Sequence, residues 1–144
     1  MNKIFSSIVL GSLAVVVLTF AATSALQAQQ APAIKRTVLL KHDSSVAGRE
    51  EVLSETMIPP GVAEDPHTHP GDLLGFVRAG TLTLDVEGQP TVTVPPGKGF
   101  FVEAGKVHKG TNNGKTPVEI VASFNVEKGK PLTSPAMAPQ ASAK

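Results

Sequence analysis

The sequence predicts an all-β fold, a sandwich or barrel of many short strands, on three observations. Apolar residues recur at every second position, the period of a strand with one buried face. Turn signals separate these runs: Pro59-Pro60-Gly61, Glu87-Gly88-Gln89-Pro90, Pro95-Pro96-Gly97 and Asn112-Asn113-Gly114. Past the N-terminal segment, no stretch carries a helical pattern. Closure into a barrel would remove the exposed strand edges.

The expected strands are 35–41, 50–58, 64–69, 73–78, 81–87, 91–94, 99–103, 106–111 and 117–127. The first two lead into the Pro59-Pro60-Gly61 turn. The third carries His67 and His69, and the fourth Leu73, Gly75 and Phe76. In the fifth, Leu82, Leu84 and Val86 alternate with Thr81, Thr83 and Asp85, and in the sixth Val92 and Val94 alternate with Thr91 and Thr93. The seventh holds Phe100, Phe101 and Val102, and the eighth His108. In the last, Val118, Ile120, Ala122 and Phe124 alternate with Glu119, Val121, Ser123 and Asn125. Asn113-Gly114 offers the positive φ angles of a tight hairpin. Phe76, Phe100 and Phe101 are expected in the core.

The chain has 144 residues and a formal net charge of +1, enough for one domain and too neutral for a strongly basic nucleic-acid binder. It has no Cys, which excludes disulfides, thiolate catalysis, iron–sulfur clusters and Cys-type zinc sites. Six Phe, with no Trp or Tyr, are too few for a base-stacking platform. Residues 1–28 have the pattern of a secretory signal peptide. Lys3 is their only charge, residues 8–20 (IVLGSLAVVVLTF) form an apolar stretch, and small residues follow. That stretch is short for a spanning helix, which takes about 20 residues. Cleavage is expected after Ala28, or after Ala25. The product would be periplasmic or secreted, with no membrane association. The barrel is expected over residues 34–130. Residues 131–144 (PLTSPAMAPQASAK) lack periodicity and are expected as a disordered tail.

The chemistry concentrates in His. On a strand, residues two apart share a face, so His67 and His69 aim their imidazoles into one space. Neutral imidazoles are common metal ligands, and His108 is the natural third. His42 is expected to be an ordinary surface or core residue.

Two motifs carry a family resemblance. Gly61, His67, His69 and Gly80 match G-x5-H-x-H-x3-E-x6-G, with Leu73 in the place of the Glu. Gly97, Gly105, His108 and Asn112 match G-x5-P-x-G-x2-H-x3-N, with Glu103 in the place of the Pro. In order and spacing the pair resembles the cupins, over about residues 50–130. The resemblance implies a single-domain jelly-roll β-barrel with one divalent transition metal, either Fe, Zn, Cu, Ni or Mn, on His67, His69 and His108. With Leu73 replacing the acidic ligand, three His alone would hold it, as in some cupins that oxidise substrates with O₂. Asp72 would be either a substitute ligand or a turn cap. Glu103 would either hydrogen-bond a ligand His or sit exposed at a strand end. Gly75 would either leave room for a ligand or permit close packing.

Three functions follow, in descending order. The first is a dioxygenase-like enzyme acting on a small organic molecule. The second is a module that binds a metal or small ligand without turnover. The third is a metal-free structural barrel. The expected partner is a small-molecule ligand or substrate, with a homodimer as an option for assembly and no nucleic acid.

Overall fold

The computed structural model describes residues 32–137; the expected signal peptide lies outside them, as do residues 138–144. Ten strands follow in order: β1 Lys35–Asp43, β2 Arg49–Ile58, β3 His67–Thr68, β4 Asp72–Ala79, β5 Leu82–Val86, β6 Val92–Val94, β7 Gly99–Val102, β8 His108–Thr111, β9 Val118–Glu127 and β10 Ser134–Pro135. They form two five-stranded antiparallel sheets, ordered β1-β2-β9-β4-β7 and β10-β3-β8-β5-β6. No helix occurs among the described residues. The fold is the jelly-roll barrel.

Period-two alternation builds the core. In β4, Leu73, Gly75 and Val77 are buried while Asp72, Leu74, Phe76 and Arg78 face out. Val118, Ile120, Ala122, Phe124 and Val126 of β9 meet Leu82, Leu84 and Val86 of β5 inside. Burying such a side chain stabilises by about 1.5–3 kcal/mol. Parity corrects one expectation: with Leu73, Gly75 and Val77 inward, Phe76 must point outward, and it is 47% exposed. Phe101, which pairs with the exposed Leu74 across the β4–β7 ladder, is likewise exposed.

Two further expectations differ from the structure. Asn113-Gly114 forms no positive-φ hairpin, since among the described residues none but glycine takes positive φ and Gly114 is not among those that do. The connection passes from β8 in one sheet to β9 in the other, so no tight hairpin geometry is needed. Instead Asn112 Oδ1 accepts a hydrogen bond from Gly114 N at 2.9 Å, an Asx turn. The segment after Pro131 is not wholly without structure. Leu132 packs against the core, and Ser134–Pro135 pair with β3 as β10. A short bare edge recruits backbone partners whatever the composition of the segment that supplies them.

The motif glycines sit at turns. Gly80 has φ 70°, and a Cβ there would lie 2.4 Å from the Pro117 carbonyl oxygen, so both conformation and space require glycine. Gly105 has φ 76°, and its N–H donates to the His69 carbonyl at 2.9 Å. That bond ties the loop before His108 to His69, just past the end of β3.

Candidate metal centre

His67 and His108 are direct partners across the β3–β8 ladder. His69 follows two residues after His67, on the same face. The three rings converge, with centroids 4.4 Å apart for His67–His108 and 4.9 Å for each pair containing His69. All three are buried, and one nitrogen from each lies within 4.8 Å of the others. His42 stands apart, exposed on β1.

Each ring is held through Nδ1. His67 Nδ1 is 2.8 Å from the Asp65 carbonyl, His69 Nδ1 is 2.7 Å from that of Leu132, and His108 Nδ1 is 3.0 Å from that of Lys106. A carbonyl only accepts, so Nδ1 carries the hydrogen and Nε2 keeps its lone pair. Three neutral imidazoles presenting lone pairs to one point form the donor set of a divalent transition ion at metal–nitrogen distances of about 2.1 Å. The residues therefore fit the metal that the motifs imply. The backbone supplies the outer support that metal-binding His require. Phe124 packs its ring against His69 at a centroid distance of 4.7 Å.

Burial disfavours the charged form of His69 and His108. It pushes the His69 pKa down to about 4 against the partial opposition of the Leu132 carbonyl, and it lowers that of His108 as well. The unfolded chain takes up these protons near pH 6.5. The folded, metal-free protein resists them, so stability is full above about pH 6.5 and falls as pH drops towards 4. We expect His69 alone to remove about 3 kcal/mol across that window. Urea unfolding of metal-free protein at pH 7 and pH 4.5 checks this. Wild type should lose more stability than His69→Asn, and equal losses would refute it.

The acidic candidates do not join the cluster. Asp72 faces out from β4, and its Oδ1 accepts from Ala104 N at 3.0 Å, which makes it a loop cap. Glu103 is exposed, and the backbone carbonyls occupy the role considered for it. Leu73 is 6% exposed and lines the cavity beside the three His, as its motif position implies. Leu73→Glu should therefore tighten zinc binding at least tenfold by adding an anionic oxygen ligand. Titration calorimetry measures it; unchanged affinity would mean that residue 73 lies beyond reach of the ion. Gly75 serves packing, since a Cβ there would come within 2.2 Å of the Phe100 ring.

The cavity has a volume of about 120 Å³. Its walls are mainly apolar, including Leu73, Leu82, Leu84, Phe100, Ile120 and Phe124. Two charged residues absent from the sequence reading also line it, Arg36 of β1 and Glu64. Glu64 Oε1 accepts from Arg36 Nη2 at 2.7 Å, and Oε2 accepts from Gly110 N at 3.0 Å. No spacing rule points to Glu64, because it precedes β3 in irregular chain where strand parity does not apply.

Residues 54–124 match the cupin domain family Cupin_2. No curated protein matches the chain. Among solved structures, a conserved protein with a double-stranded β-helix domain from Klebsiella pneumoniae is 21% identical, covering 73% of this chain and 85% of that one, with a TM-score of 0.59. The DMSP lyase DddQ from Ruegeria pomeroyi is 18% identical over 72% of this chain and 51% of its own, with a TM-score of 0.59. An oxalate oxidase, seen with the substrate analogue glycolate, is 25% identical over 65% of this chain and 51% of its own, with a TM-score of 0.55. The chain thus spans about half the length of those two enzyme chains. The two-sheet barrel, the motif positions and the family match over residues 54–124 together support a place in the cupin superfamily.

Proposed function

We propose that this chain is an exported, periplasmic or secreted metal cupin acting on a small organic molecule, with dioxygenase-like chemistry. The observation that carries the reading is the convergence of His67, His69 and His108, all buried, each fixed through Nδ1, and lining a mainly apolar cavity. A divalent transition metal there would act as a Lewis acid or as a binding site for substrate or O₂. The chain's own residues do the rest. Backbone carbonyls fix the tautomer of each imidazole, while Leu73, Phe100 and Ile120 exclude water and favour an apolar substrate body. The oxalate oxidase likeness supports oxidation of a small substrate. Export is supported by Lys3 and the apolar run at residues 8–20.

One observation favours the second reading, a module that binds without turnover. Among the described residues Glu64 is the one carboxylate lining the cavity, and both its oxygens are engaged, by Arg36 and by Gly110 N. A general base needs an oxygen within reach of substrate. Elemental analysis of protein purified from its native compartment should find equimolar transition metal, and metal-free protein would overturn both readings. Oxygen uptake by the loaded protein over a panel of small organic acids, alcohols and thiols then separates them; absence of turnover would leave the binding module.

A further inference from the structure

We propose that Arg36 is a carboxylate anchor, and that the cavity takes a small monocarboxylic acid with an apolar body. The inference rests on reading the cavity as the substrate site.

Among the described residues that line the cavity, Arg36 is the one Lys or Arg. It belongs to β1, the edge strand of its sheet, and its side chain is 47% exposed, which places it where the cavity meets solvent. Its partner Glu64 is only 11% exposed. Glu64 is held from its other oxygen by Gly110 N, so it acts as a fixed post that steadies the guanidinium. Arginine has five N–H donors in a planar fork. Among the described residues Arg36 makes one side-chain hydrogen bond, through Nη2 to Glu64. The remaining donors can take a carboxylate in the paired geometry that arginine favours.

The rest of the cavity defines the rest of the ligand. Leu73, Phe100 and Ile120 make its walls mainly apolar, beside the hydroxyls of Ser54 and Thr56, so a mainly apolar ligand body fits. A cavity of about 150 Å³ takes benzene. The volume here, about 120 Å³, admits a body no larger than that ring.

Butyrate and its neutral isostere butyramide are suitable probes. They are titrated into the mature protein, metal-free and zinc-loaded, and followed by amide NMR shifts, with the Gly110 amide as a reporter. Metal-free wild type should bind butyrate at least tenfold more tightly than butyramide. Arg36→Gln should bring the two affinities together, with zinc affinity by calorimetry unchanged. Arg36→Lys, which keeps the charge without the fork, should retain the preference at reduced size. Equal affinities in wild type, or a butyrate preference that survives in Arg36→Gln, would overturn the anchor. Failure of wild type to bind zinc would instead overturn the metal reading, while the metal-free comparison still decides the role of Arg36.

Discussion

Chelation of the loaded protein should lower its melting temperature by roughly 10 °C or more, and His67→Ala, His69→Ala and His108→Ala should each abolish that response. A metal that binds only the native state stabilises it by RT ln(1 + [L]/Kd), about 2.7 kcal/mol at a hundredfold excess over Kd. The three His come from two segments that meet only in the folded sheet, so the unfolded chain has no preformed site and metal affinity reports on folding. His42→Ala is the control, because His42 is exposed on β1 and absent from the cluster. Differential scanning calorimetry with and without chelator checks all four variants. A His108→Ala protein with the wild-type chelator response, or a His42→Ala protein without it, would refute the three-His centre.

Asn112→Ala should destabilise the metal-free barrel by about 3–5 kcal/mol, since buried groups left without partners cost about 1–3 kcal/mol each. Asn112 is fully buried. Its Nδ2 donates to the carbonyls of Ile58 and Thr116, both at 2.9 Å, and its Oδ1 accepts from Gly114 N. Its backbone N–H and carbonyl are also used, bonding Val62 O and Gly61 N at 2.9 Å. The side chain thus joins the end of β2 to the loop entering β9, and the backbone of the same residue ties in the turn after β2. Asn112→Asp has the same size but cannot donate, so it should cost nearly as much. Urea unfolding measures both. A loss below about 1 kcal/mol for either would show that water replaces these bonds. The last position of the second motif is therefore structural, whereas its His is chemical.

The strand pattern was legible because alternation follows from strand geometry itself. Once Leu82, Leu84 and Val86 face inward, the intervening Thr83 and Asp85 must face outward, without reference to any distant residue. Parity left Asp72 open as ligand or turn cap, because it applies only once the strand has begun, and β4 begins at Asp72 itself. The same parity, applied to β4, would have turned Phe76 outward; treating large apolar residues as core by type alone overrode it. The tail after Pro131 was illegible for another reason. Its backbone, not its side-chain pattern, pairs with β3, and backbone pairing leaves no mark in composition.

By itself the sequence determined the all-β class, the turns and the identity of the three converging His, because strand period, backbone conformation and ligand spacing are local properties of neighbouring residues. Tertiary structure alone decided that His67 lies opposite His108 in one ladder, that Leu132 fixes the His69 ring, and that Arg36 and Glu64 reach the cavity. These contacts join residues far apart in the chain. Sheet register and the closing of one sheet over the other set their distances, and neither is encoded in the spacing of any single segment.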